Sequence, residues 1–228
     1  MATPGAPKHR RADLPPSLKL RRTSKVGPYY LTFVGANLQV GPYFLLLVIA
    51  IAGCNAAGQS PVLVSHDFKQ SGQGWQVARD TGTVDATFTA SGGHPDGCIT
   101  GTDEAIGETW YFRAPESVLK QLPAAVNGTI SFSLKQSASQ VGIIGDDVVI
   151  LGPAGRLSYR FPTAPGTTWT EFSVRLSESE GWTWNWNKRA TQAQIDSVLA
   201  AATNLDIRGE YVTGEDEGSL DNFVLRGP

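Results

Sequence analysis

Glu171-Phe172-Ser173-Val174-Arg175-Leu176 is the stretch that decides the fold. Its apolar residues fall on every second position and its polar residues fill the gaps. In an extended chain that spacing puts one face on a core and the other in water, so the segment reads as a half-buried strand. Working outward, β-branched and aromatic residues with short turn signals predict further strands over 62–68, 83–90, 108–112, 129–135, 148–151, 156–161, 205–212 and 220–225. Glycine supplies much of the punctuation. Asn127-Gly128 precedes one strand, and Gly152-Pro153-Ala154-Gly155 separates two others. Many short strands between glycine-rich turns predict an all-β fold, a sandwich or a barrel.

One segment has a different period. Thr191-Gln192-Ala193-Gln194 has the form of a capping box, and Ile195, Val198, Leu199 and Ala202 follow at helical spacing. An amphipathic helix over 192–203 is expected, its apolar stripe lying on the sheet or across one end of the sandwich. A shorter helical turn is expected over 115–121, with Pro115 in its first turn.

The 228 residues suffice for one ordinary domain plus a tail. Hydrophobic residues make up 41% and charged residues 18%, enough apolar surface to exclude wholesale disorder. The formal charge of −2 hides an asymmetry. Residues 1–53 hold seven of the 19 basic residues and one of the 21 acidic ones, so the body is acidic. An acidic body excludes nucleic acid as a partner, because phosphate binding needs a basic face. Two cysteines exclude a disulfide-knit mini-protein and a multi-cysteine metal site.

The basic residues lie in a Pro-rich stretch that ends at Lys25, and no further charge appears before Asp67. The apolar run from Tyr43 ends in Ile51-Ala52-Gly53-Cys54. A basic stretch, a short apolar core and small residues before a cut have the anatomy of a secretory signal. The last four residues resemble a bacterial lipobox, with Ile51 where leucine is usual. In that chemistry the Cys54 thiol receives a diacylglyceryl group, the chain is cut after Gly53, and the new amino group is acylated. Each buried methylene contributes about 0.8 kcal/mol, so two or three chains on one residue would hold the protein on a membrane. The domain reading is therefore 1–53 leader, 54–61 lipidated cysteine and tether, and 62–228 body. A signal anchor spanning 29–53 is the other reading, but Gly35, Asn37, Gln39, Gly41 and Pro42 interrupt its first half. Asn55 rather than Asp after the cysteine leans towards the outer membrane of a bacterial envelope.

A search for an active site is mostly negative. The sequence has no Gly-x-Ser-x-Gly elbow, no His-Glu-x-x-His and no phosphate loop. Asp146-Asp147 and Glu215-Asp216-Glu217 read as solvated loops, with weak calcium ligation as the alternative. Asp67 and Asp221, near the two ends of the body, could line a structural calcium site with backbone carbonyls; alternatively Asp221 pairs with Arg208, or its carboxylate bonds loop amides. Apart from that calcium, no cofactor is expected. On a continuous strand, Trp182, Trp184 and Trp186 would share a face. Trp184 and Trp186 are accordingly candidate ligand-binding residues for sugar rings, against the alternative of core packing beneath the helix.

Short pieces in fixed order carry a family resemblance. They begin with Phe68 and Gly74-Trp75, then Gly92-Gly93-His94-Pro95 with Gly97 and Ile99, then Gly107-Glu108-Thr109-Trp110-Tyr111-Phe112 and Ala114-Pro115. Asp147-Val148, Leu157-Ser158-Tyr159, Trp169-Thr170 and Val174-Arg175-Leu176 follow, and Ile207-Arg208-Gly209-Glu210-Tyr211 and Ser219-Leu220-Asp221-Asn222 close the series. The body resembles the laminin IV type A (laminin B) domain. The resemblance implies a jelly-roll-like β-sandwich, related in shape to carbohydrate-binding modules, working as a non-catalytic extracellular module with no catalytic residues. Cys98 stands where that family often has an aromatic residue, and cysteine-rich flanking modules are absent. The expectation is a lipid-anchored envelope binding or adhesion module whose ligand is a glycan or an envelope protein. The alternative is a carbohydrate-active hydrolase, or an accessory domain of an envelope enzyme.

Overall fold

The computed structural model describes residues 60–102, 109–139 and 144–228. The expected leader, its Cys54, and Gly107-Glu108 lie outside the described residues. The described strands form two antiparallel sheets. The first runs β10 (Thr170–Arg175), β7 (Thr129–Gln136), β14 (Glu217–Arg226), β5 (Cys98–Thr102) and β4 (Thr87–Thr89), with β1 (Val62–His66) also paired to β14. The second runs β12 (Lys188–Arg189), β11 (Thr183–Trp184), β9 (Gly155–Tyr159), β8 (Val148–Gly152), β13 (Asn204–Arg208), β6 (Tyr111–Arg113), β2 (Gln76–Arg79) and β3 (Gly82–Asp85). This is the expected β-sandwich.

The alternation in β10 sets its role. Phe172 and Val174 stand opposite Phe132 and Ile130 of β7 and face the core, while Glu171 and Ser173 stand opposite Ser133 and Ser131 on the other face, where Ser133 is covered. The Phe132 and Phe172 rings stack at 5.8 Å. Ile99, Leu134, Leu220, Phe223 and Leu225 extend the first sheet's contribution to the core, and Val77, Phe112, Val148, Ile150, Leu157, Leu205 and Ile207 supply the second sheet's. Burying such side chains is worth about 1.5–3 kcal/mol each against exposure, and this burial drives the two sheets together.

The strand expected over 83–90 is two strands. The chain changes sheets at Ala86, whose amide donates to the Trp75 carbonyl at 3.1 Å; β3 pairs with β2 and β4 with β5. The strand expected over 205–212 ends at Arg208. Gly209 lies against the Trp110 indole instead, and Gly101 and Gly218 approach the same ring. Trp110 is thus held in a socket of three glycines. Its Nε1 donates to Asp216 at 3.2 Å and its ring meets Phe112 edge-on at 5.1 Å.

Strand β14 changes partner partway along. Up to Leu220 it pairs with β5; after the bulge between Asp221 and Val224 it pairs with β1. Asn222 sits in that bulge with φ +52°, a left-handed conformation that asparagine tolerates better than most residues. Beyond the strand pairs, the Gly227 amide donates to the Pro61 carbonyl at 2.9 Å.

The short helix expected here is α1 (Glu116–Leu119), with Pro115 at its N-cap rather than in its first turn. Helix α2 (Gln192–Ala200) opens on the full capping box. Thr191 accepts from the Gln194 amide, and Gln194 Oε1 accepts from the Thr191 amide at 2.9 Å. It ends three residues before the expected 203, because the Thr203 amide bonds the Leu151 carbonyl at 2.7 Å and leads the chain into β13. Ile195, Val198 and Leu199 are buried where the helix packs on β8 and β9.

His66 gives this core a pH dependence. It is buried on β1, and its Nδ1 accepts from the Trp75 indole at 2.7 Å. Burial pushes its pKa below the ordinary 6.5, against an opposing push from Asp67. The unfolded chain therefore binds this proton more tightly than the folded one. Stability from this site is present above the ordinary histidine pKa and is lost as pH falls through the lowered one. Thermal melts at pH 7.5 and 5.5 should show a larger acid loss for wild type than for His66→Asn, which keeps an acceptor without a titration. Equal losses would remove His66 as the cause.

Candidate functional site

The three indoles of 182–186 do not share a face. Trp182 is fully buried, donates Nε1 to the Arg175 carbonyl at 2.7 Å and packs on Tyr159 at 5.4 Å. Trp184 is half-buried on β11, with Nε1 3.3 Å from the Ala154 carbonyl. The chain then reverses into β12. Asn185 and Trp186 take φ +45° and +81°, and Trp186 stands 74% exposed at the tip. The expected common face required a continuous strand, which this reversal removes. The Arg156 guanidinium lies 4.4 Å from the Trp186 ring centre, a cation–π contact that supports an exposed indole. A bulky residue with positive φ costs about 1–3 kcal/mol, so the tip is strained as well as exposed.

Asp67 and Asp221 meet different surroundings. Asp67 is half exposed beside Lys69, with 3.5 Å between charges. Asp221 is fully buried. Its Oδ2 accepts from the His94 amide at 2.5 Å and its Oδ1 from the Asn222 amide at 2.6 Å. Burial holds its carboxyl above the ordinary carboxylate range, and those two amides pull it partly back. Asn222 Nδ2 also donates to the His94 carbonyl, so this bulge clasps the 92–97 turn. The alternative partner Arg208 is engaged elsewhere, 3.7 Å from Asp147 and donating Nε to the Glu210 carbonyl at 2.5 Å. Among the described residues, no three His, Cys, Asp or Glu side chains stand together as a metal-binding group.

Two acidic residues expected in solvated loops are buried instead. Asp147 accepts from the Phe161 amide at 2.7 Å and the Tyr211 hydroxyl at 2.9 Å, and burial raises its pKa. Asp216 receives the Trp110 indole and the Tyr211 amide, each at 3.2 Å. Carboxylates can be buried when several donors face them, and the Trp110 and Tyr211 side chains that donate here come from sequence-distant segments. No local pattern announces them.

A different concavity lies on the outer face of the first sheet. It holds about 400 Å³ and is lined by Ser131, Ser133, Glu171, Ser173 and Asn222, with Phe132 and Phe172 between them on the two strands. Trp169 precedes Thr170 on the same strand and lies by the outward-facing Lys135, whose ammonium is 5.0 Å from the ring centre. The Trp169 indole donates to the Gly92 carbonyl at 3.1 Å and lies parallel to the His94 ring at 6.4 Å. Sequence reading kept Trp169 only as part of a family pattern. The serine alternation in β7 and β10 was the available signal for the groove.

Comparison with known proteins agrees with this architecture. Human laminin subunit gamma-1 is 24% identical over 178 residues, which cover 75% of this chain and 10% of that protein. The chain thus spans about a tenth of that relative's length. Among solved structures, the L4b domain of human laminin alpha-2 superposes with a TM-score of 0.58 at 13% identity, covering 72% of this chain and 97% of that one. A family 11 carbohydrate-binding module of Clostridium thermocellum gives a TM-score of 0.45 at 13% identity, over 75% of this chain and 95% of that one. The Laminin B (Domain IV) family model matches residues 111–226, from β6 to the last residue of β14. That match spans just over half of the 228 residues, and the chain belongs to the Laminin B (Domain IV) family.

Proposed function

We propose that this chain is a non-catalytic binding module of laminin IV type, held on a bacterial cell envelope by lipid on Cys54 and facing a glycan or an envelope protein. Family membership is the observation that carries the binding half of this reading. The two carboxyls with raised pKa support a structural use rather than acid–base work, since Asp221 is occupied by two backbone amides and Asp147 by one amide and the Tyr211 hydroxyl. The run Ile51-Ala52-Gly53-Cys54 carries the anchoring half, and it leans towards the outer membrane. Among the described residues no helix is long and apolar enough to cross a membrane.

Two measurements test the two halves. Intact-mass spectrometry of the protein from a bacterial host should find Cys54 as the mature N-terminus, bearing acyl chains. Cys54→Ser should release most of it from the membrane fraction. An uncleaved, unacylated protein in the soluble fraction would overturn the anchor. Hydrolysis of any envelope polysaccharide by the purified protein would overturn the non-catalytic half.

A further inference from the structure

We propose that the groove on the outer face of the six-stranded sheet binds a neutral polysaccharide chain, with Trp169 at one end as its stacking surface. This rests on the binding reading above and gives it a site and a ligand class. The floor follows from strand register. Glu171 stands opposite Ser133 and Ser173 opposite Ser131, so three of the four residues in these cross-strand pairs are serines, with Glu171 and Ser173 exposed beside the half-buried Ser131 and the covered Ser133. The missing bulk is the trough of about 400 Å³. Along β10 the same face carries Trp169, Glu171 and Ser173. At about 3.3 Å per residue that row spans about 13 Å, room for an oligosaccharide rather than one sugar.

The lining selects the occupant. The Ser131 and Ser173 hydroxyls, the Glu171 carboxylate and the Asn222 amide offer donors and acceptors, which suits a ligand with hydroxyls on every ring. Half-buried Trp169, beside Lys135 and His94, offers the part of its ring they leave uncovered to the C–H face of a sugar at one end. A protein partner needs an apolar anchor. The exposed large apolar residues among those described are Val62, Val84, Ile144 and Trp186, and none of them lines this trough. Glu171 in the floor disfavours an acidic chain, and so restricts the ligand to neutral or N-acetylated sugars.

The test is calorimetric titration of the full-length protein with hexasaccharides of β-1,4-linked glucose, xylose and N-acetylglucosamine, with an oligogalacturonate as the acidic comparison. Wild type should bind at least one neutral probe and should bind the acidic one at least tenfold more weakly. Glu171→Ala and Ser173→Trp change exposed side chains and should keep the melting temperature; each should weaken binding at least tenfold. Trp169→Ala should do the same, and Trp186→Ala should leave affinity within twofold. Binding that survives both Glu171→Ala and Ser173→Trp but is lost in Trp186→Ala would move the site to the hairpin tip and overturn this proposal while the binding reading stands. No binding to any neutral probe would overturn it as well, with the Cys54 anchor unaffected.

Discussion

Gly209→Ala should lower stability by about 3–5 kcal/mol, seen as a large fall in the urea midpoint. The magnitude comes from geometry. A methyl group on Gly209 would lie 1.8 Å from Cζ3 of Trp110 and 2.2 Å from its Cη2, far inside contact distance. The indole has no easy retreat. Gly101 and Gly218 crowd the same Cζ3–Cη2 edge so closely that their own missing methyls would come within 2.7 and 2.9 Å of it. Its Nε1 is tied to Asp216 and its edge is set against Phe112. Overpacking a core costs about 1–3 kcal/mol when neighbours can shift, and loss of a buried tryptophan's packing costs about 3–5 kcal/mol. With the ring cornered, the second figure applies. Gly166→Ala is the control, since nothing lies within 4 Å of the added methyl, and it should change stability by less than about 0.5 kcal/mol. A Gly209→Ala loss under about 1 kcal/mol would mean the socket is softer than its geometry indicates.

The second large effect separates two indoles four residues apart. Trp182→Ala should cost about 3–5 kcal/mol, whereas Trp186→Ala should stay within about 0.5 kcal/mol. Trp182 is fully buried against Tyr159 and holds the Arg175 carbonyl, so truncation leaves a cavity and an acceptor without its donor. Trp186 projects from a turn whose left-handed backbone an alanine adopts no worse. Parallel urea melts would show the contrast. Equal losses would mean that the tip is packed rather than exposed.

Much of the fold was legible because it rests on local rules. The alternation in β10, the glycine punctuation and the capping box at Thr191 each act within a few residues, and each appears where expected. What was missed depends on distant partners. β2, with Gln76-Val77-Ala78-Arg79, has a single strong β-former and is a strand because β3 and β6 pair with it on both sides. β5 carries Gly101, a poor strand residue, because Trp110 needs its missing side chain. Asp147 and Asp216 looked like surface charges until Phe161, Tyr211 and Trp110 supplied donors. The groove was illegible for a related reason. Outward serines on β7 are ordinary alone, and become a trough only when register sets them beside the serine and glutamate of β10.

Because β1 is zipped antiparallel to the end of β14, the chain enters and leaves the sandwich side by side, a hydrogen bond apart at Pro61 and Gly227. A unit with adjacent ends behaves as a cassette: it could be spliced into a surface loop of an unrelated host without prising that loop open, and its own ends could be joined and new ones cut at another turn. The same zipper means that tension applied between the two ends would peel hydrogen bonds one at a time from the rim, so a mechanical load would open the seam before it reached the core.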